Sequence, residues 1–252
     1  MPSWGQVHHR RDAFIHLTQE RTDVAANSLY DLFEYFGECY VINLPDRKDR
    51  WRDTQTELSK IGSPRVRRFN AIRPNHNGGF PSIGARGCFL SHLGVLVDAE
   101  QRGLTRVLIL EDDISFTADF SVRASAEVCK LKSMRWDIFY GGVDFEGDEV
   151  PPCRAVQTTH FIGLHSPNIS RLVKYLEAIL TRPAGDPQGG PMHVDGAYSW
   201  YREQHPRVIT VAASPPLGHQ RSSRSDIHGR WFDTMPIMSQ AVALIRRVKR
   251  LR

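Results

Sequence analysis

The chain has 252 residues, of which 40% are hydrophobic and 24% charged, with a formal charge of +5. That is enough chain for one α/β domain with a substantial core, and the mild positive excess is far below what a dedicated nucleic-acid binder carries. Four scattered cysteines, Cys39, Cys88, Cys129 and Cys153, show neither CxxC nor Cys/His finger spacing, which argues against structural zinc and against a disulfide framework.

Residues 1–11 read as a polar start. Asp12 to Phe36 then carries Phe14, Leu17, Leu29, Leu32, Phe33 and Phe36 near helical spacing, with Gly37 as a stop. Residues 1–38 are therefore expected to form a helical extension ahead of the domain. The body alternates strands and helices. Cys39–Leu44 is a β-branched apolar run, expected as a buried strand. Asp46–Ile61 is an amphipathic helix with Trp51, Leu58 and Ile61 on one side, ended by Gly62. A strand over Arg65–Asn70 and a Gly/Pro/Asn loop lead to a largely buried helix, Gly87–Arg102, closed by Gly103. Arg106–Leu110 reads as a wholly buried strand that runs directly into Glu111, Asp112 and Asp113.

Further along, the pattern predicts a helix over Ala118–Leu131 and strands over Trp136–Tyr140 and Arg154–Thr159. A helix over Asn168–Arg182 follows, with Ser166-Pro167 as its N-cap and first-turn pair. After a Pro/Gly-rich loop come a short helix over Asp195–Gln204 and a strand over Val208–Ala213. Residues 236–252 read as a basic C-terminal helix. Alternating β and α segments imply an α/β fold, a mostly parallel sheet with helices on both faces. No basic segment followed by an apolar stretch opens the chain, and no run of about 18 apolar residues occurs, so a cytoplasmic protein is expected.

In open α/β sheets, ligands bind outside the carboxyl ends of the strands, where Glu111, Asp112 and Asp113 are expected to stand. Adjacent carboxylates repel one another and need a cation or basic groups nearby. In an extended segment residues 111 and 113 point one way and 112 the other. That gives two hard oxygen ligands for Mg2+ or Mn2+ bridging a diphosphate. The plain alternative is a solvated acidic turn, with Asp113 capping a nearby helix.

Six blocks together resemble glycosyltransferase family 25, the lipopolysaccharide and collagen-type sugar transferases. They are YVINLPDRKDRW (40–51), GARGCFLSHLGVL (84–96), VLILEDD (107–113), WDIFYGG (136–142), HVDGAYSW (193–200) and QRSSRSDI (220–227). The resemblance implies a GT-A type, Rossmann-like domain over residues 39–235, a UDP-sugar donor and a divalent metal, Mn2+ or Mg2+, at the acidic motif. It makes Asp113 the principal metal ligand, Glu111 a second ligand or a contact to the donor, and Asp112 a further donor contact. Most GT-A enzymes read Asp-x-Asp here; this chain reads Glu-Asp-Asp.

Other candidates surround that motif. Asn43, Leu44 and Arg47 follow the first strand, where the base and ribose would rest, with Arg47 toward phosphate. Arg50 fits either that role or a surface position beside Asp46 and Asp49. Ser91 and His92 lie in a helix whose Gly84–Gly87 entry would bring its start near the diphosphate; a hydrogen-bonded core histidine is the alternative. Asp195 either caps a helix or removes the acceptor hydroxyl proton in an inverting transfer. His219 is a candidate third metal ligand, in a polar loop with Gln220, Ser225 and Asp226, or else a solvent-exposed histidine. Arg221, Arg224 and Arg230 suggest a lid over the diphosphate. His160 reads as a packing residue. The tail ALIRRVKRLR fits an interfacial helix on anionic lipid or a solvated one.

The expected activity is transfer of a hexose, galactose or glucose, from a UDP-sugar to a hydroxyl of a glycan, glycolipid or protein-linked acceptor, with inversion. One rival is a catalytically inactive binding or scaffold domain. Another is a metal-dependent phosphohydrolase or nuclease, disfavoured because no second acidic pair stands near a predicted strand end.

Overall fold

A computed structural model describes residues 31–221, and the short apolar runs of the sequence supply its strands. In chain order the first elements are α1 (Asp31–Phe36), β1 (Cys39–Asn43), α2 (Lys48–Lys60), β2 (Arg67–Asn70), α3 (Ile83–Gln101), β3 (Arg106–Glu111) and β4 (Ile114–Phe116). They are followed by α4 (Phe120–Ser133), β5 (Ile138–Tyr140), β6 (Phe161–His165), α5 (Asn168–Leu180), α6 (Val194–Gln204), β7 (Thr210–Ala212) and β8 (Gly218–Gln220). Residues 31–220 belong to one unit; a second opens at Arg221. The stretch before Asp31, the residues Arg224, Arg230, Ser225 and Asp226, and the basic tail lie outside the described residues.

Six strands form one sheet in the order β2-β1-β3-β6-β5-β7. Every pairing is parallel except those of β6, which is antiparallel to both neighbours. The carboxyl ends of the five parallel strands therefore share one edge with the amino end of β6. A separate antiparallel pair joins β4 to β8.

Successive side chains alternate across the pleat. Tyr40, Ile42, Val107, Ile109, Ile162 and Leu164 pack into a core with α3, α5 and α6. Cys39, Val41, Leu108, Leu110, Phe139 and Phe161 pack on the opposite face with α1, α2 and α4. Both faces being covered, Val107 to Leu110 are wholly buried, which is why that strand is a continuous apolar run with no polar alternation.

Several boundaries differ from the sequence reading. The domain takes in α1, because Leu32, Phe33 and Phe36 lie in the second core, so the helical extension does not stop short of the domain at residue 38. In α2 the inward stripe is Thr54, Glu57, Leu58 and Ile61, while Trp51 is only partly covered, beneath the Arg68 guanidinium at 4.9 Å. The helix expected from Gly87 starts at Ile83, where Ser82 caps it by accepting from the Ala85 N–H at 3.0 Å.

Residues 154–159 form no strand; the strand is β6, one step later. Its central Gly163 disguises it, and a Cβ there would come within 2.5 Å of the Phe36 ring. Ser166 does not cap α5. Its N–H is held by the Thr105 carbonyl at 2.9 Å, and Pro167 takes the cap position without a side-chain bond.

Candidate active site

The expected extended course of residues 111–113 holds only as far as Glu111. Asp112 and Asp113 turn the chain into β4, which leaves the main sheet to pair with β8. The three carboxylates consequently meet three sets of partners at the carboxyl edge of the sheet.

Glu111 accepts from Thr159 Oγ1 at 2.9 Å and lies 3.3 Å from His92 Nε2. Asp112 accepts from Asn43 Nδ2 at 2.5 Å and from Arg50 Nη1 at 2.9 Å. Its carbonyl takes the Thr54 hydroxyl at 2.8 Å, one helical turn beyond Arg50 on the same face of α2. Asp113 accepts from Gln220 Nε2 at 2.9 Å, with Arg50 Nη1 at 3.8 Å.

Burial opposes ionisation of Glu111, but the hydrogen bonds and charge from His92, with Thr159 and His160, outweigh it and hold the carboxyl below its ordinary value. Asp113 goes the other way: burial first, then the Glu111 charge, push it up to about 6 against Gln220 and Arg50. Its Oδ1 is buried without a hydrogen-bond partner. A buried carboxylate oxygen left without a donor, beside a second carboxylate, fits a hard divalent cation.

A helix that precedes a parallel strand begins at that strand's carboxyl end. This places Asp195, in the first turn of α6, on the same edge. The N-cap is His193, not Asp195; Asp195 Oδ1 accepts from the Gly196 N–H at 2.8 Å. Burial foremost raises the Asp195 carboxyl, with a smaller push from Glu111, against Gly196 and His193.

Asn43 is buried and ties the end of β1 to Asp112 and, at 2.5 Å, to Arg68. Leu44 offers its carbonyl to the Arg47 N–H at 3.0 Å. The Arg47 guanidinium is forked onto Asp49 at 3.0 and 2.9 Å. Ser91 is wholly buried, donating to the Gly87 carbonyl at 2.6 Å and accepting from the Ile72 N–H at 2.8 Å, a tie between α3 and the loop after β2. His92 is also wholly buried. His219 is exposed in strand β8, opposite Ser115, so it and Gln220 stand in a strand where a loop is expected. Among the described residues, the one group of three or more His, Cys, Asp or Glu ligand atoms lying within 4.8 Å of one another is Cys88, His92 and Glu111.

Several residues here have little or no weight in the sequence reading. Arg50, not Arg47, meets the carboxylates, and its place in line with Thr54 at i, i+4 was the available signal. Thr159, just ahead of β6, holds Glu111, and Gln220 in β8 holds Asp113; the sequence does not show the strand pairings that bring them there. His160 presents its carbonyl to the Glu111 N–H at 3.0 Å, so it borders the site as well as packing. Gly141 lets β5 turn beside it, since a Cβ there would come within 2.7 Å of the Phe161 ring.

The carboxylates stand at the carboxyl end of a central strand, the edge where open α/β sheets bind their ligands. No family model matches the chain. Curated relatives do: it is 30% identical over 129 residues to the inactive glycosyltransferase 25 family member 3 of Homo sapiens, covering 42% of this chain and 22% of that one. It is 27% identical over 124 residues to procollagen galactosyltransferase 1 of Danio rerio, covering 48% and 20%. These curated relatives carry the name of glycosyltransferase family 25 or of a galactosyltransferase, at modest identity over about half of the chain. The chain spans about a fifth of their length. A glycosyltransferase involved in the glycosylation of the major capsid of PBCV-1 is similar in structure, with a TM-score of 0.47 and 12% identity over 75% of this chain and 95% of that one.

Proposed function

We propose that this domain transfers a hexose, galactose or glucose, from a UDP-sugar to a hydroxyl of a glycan, glycolipid or protein-linked acceptor, with inversion. The observation that carries the reading is the buried, partnerless Oδ1 of Asp113 beside Glu111 at the carboxyl edge of the sheet, with Asp195 on the same edge. Asp113, with Glu111 and His219 as further candidates, would hold Mn2+ or Mg2+, which when bound supplies positive charge against the diphosphate leaving group.

The backbone at the end of β1, Asn43 and Leu44, would receive the donor nucleoside, the Asn43 side chain itself being spent on Asp112 and Arg68. Asn43 and Arg50 hold Asp112 and so fix the turn that presents Asp113. Asp195 takes the proton of the acceptor hydroxyl as that oxygen attacks the anomeric carbon and the bond to the diphosphate breaks. A carboxyl raised by burial is a better base than an ordinary aspartate.

The test is release of UDP from UDP-galactose and UDP-glucose with Mn2+, measured without added acceptor. Wild type should release UDP; Asp113→Ala should not. Asp195→Asn should still bind donor but fail to transfer. A second reading, an inactive domain of the same fold, is favoured by the relatives named as inactive. It requires donor binding with no UDP release under any condition.

A further inference from the structure

The spacing of Cys88 and His92 resembles no zinc motif in the sequence, because the residue that completes the group comes from a strand. Cys88 and His92 are four residues apart in α3 and so share one helix face. Glu111 ends β3. Their ligand atoms all lie within 4.8 Å of one another. His92 Nε2 and Glu111 Oε1 are 3.3 Å apart; two ligands each about 2.1 Å from a tetrahedral ion stand about 3.4 Å apart, so this pair has the separation of neighbouring ligands. His92 is wholly buried.

We infer that Cys88, His92 and Glu111 form a second cation site, for a borderline-soft dication of the Zn2+ class. Thiolate and imidazole favour Zn2+ over Mn2+ or Mg2+, whose preference is for oxygen. Three protein ligands leave a fourth position for water or another donor.

The surroundings are suited to a positive ion. The negative charges of Glu111, Asp195 and Asp113 act on Cys88. The same field attracts a dication, which on binding converts the thiol to a thiolate and releases one proton. Because Glu111 is shared, an ion in this site withdraws Glu111 from the donor. That consequence rests on the function proposed above; the site itself does not.

Co2+ is the probe, since a thiolate-to-cobalt charge-transfer band in the near ultraviolet reports sulfur ligation directly. The full chain with Cys129→Ser and Cys153→Ser, which removes the two exposed thiols, is titrated with Co2+. One equivalent should give the band, with release of one proton per ion. Zn2+ should abolish the band, and a tenfold excess of Mn2+ should leave it. Adding Cys88→Ser or His92→Asn should remove or displace the band, and circular dichroism identifies any variant that does not fold. Asp113→Ala should keep the band even if all response to UDP is lost, which separates this site from the donor site. No band in the parent protein, or an undiminished band in folded Cys88→Ser, overturns the inference.

Discussion

Arg50 donates from Nη1 to Asp112 Oδ1 at 2.9 Å and stands 3.8 Å from Asp113 Oδ2. One side chain from the second helix thus answers two of the three carboxylates, and it does so largely out of water, with 22% of its side chain exposed. Arg47, one turn earlier, pairs with an Asp49 whose side chain is 55% exposed. Arg50→Gln is predicted to lower stability by about 1–3 kcal/mol, the cost of leaving buried charge unanswered. Arg47→Gln should cost no more than about 0.5 kcal/mol, as screened surface pairs do. Urea denaturation midpoints of the two variants compare them directly.

Asn43 makes the same point from the first strand. It is 1% exposed and donates to Asp112 Oδ2 at 2.5 Å. Asn43→Ala removes a donor from a buried carboxylate, so a loss of about 1–3 kcal/mol is expected. Asn43→Asp should be worse, since it sets a second carboxylate against the first. Equal denaturation midpoints for the two would contradict this.

Asp195 gives a pH dependence whose sign is fixed. Its folded value is raised, by burial foremost, with Glu111 adding and Gly196 and His193 opposing. The folded protein therefore holds that proton more tightly than the unfolded chain, whose aspartate titrates near about 3.9. The stability this contributes is present below the unfolded value and is lost as pH rises through the folded one. Asp195→Asn should flatten that part of the Tm-versus-pH curve. If Asp195 is the base, the acid limb of the wild-type kcat/KM profile should rise over the same range.

Arg202 is wholly buried. It donates to the carbonyls of Arg154, Val150 and Pro151 and to Thr210 Oγ1, at 2.7 to 3.3 Å. It fastens the segment after β5 to the helix that carries Asp195. Arg202→Met takes its donors from the Val150 and Arg154 carbonyls and leaves Pro151 only the Arg154 N–H, at about 1–3 kcal/mol for each carbonyl left unpaired away from water. Hydrogen exchange should accelerate at the Val150 and Val156 amides before the centre of β3 is affected.

Gly141→Ala places a Cβ within 2.7 Å of the Phe161 ring. Overpacking of this kind costs about 1–3 kcal/mol. A calorimetric Tm equal to that of wild type would show that the ring can yield.

Much of this was legible because the sheet is covered on both faces. A strand buried on both sides must be apolar throughout, and Val107 to Leu110 announce it, as does the charge that follows. Helix ends were marked by Gly62 and Gly103, both at positive φ. What the sequence conceals are pairings made in space. Gly163 hides β6 because a ring from α1 fills the place of its side chain. Arg47 and Arg50 look alike until the inward face of α2 is known, and that face is set by Thr54 and Leu58 more than by Trp51. Gln220 reaches Asp113 only because β8 pairs with β4, two short strands with no composition to mark them. Cys88 meets Glu111 across α3 and β3, a distance no linear motif records.

The most direct measurement is a thermal-shift titration with UDP, UDP-galactose and UDP-glucose, with and without Mn2+, on wild type and Asp113→Ala. A ligand that binds only the folded state raises its apparent stability, by about 2.7 kcal/mol at a hundred times its Kd. A UDP-dependent rise in Tm that requires Mn2+ and disappears in Asp113→Ala is the predicted result. A folded wild-type protein whose Tm is unmoved by every UDP species, or a shift that survives in Asp113→Ala, would contradict a metal-assisted donor site at the acidic turn.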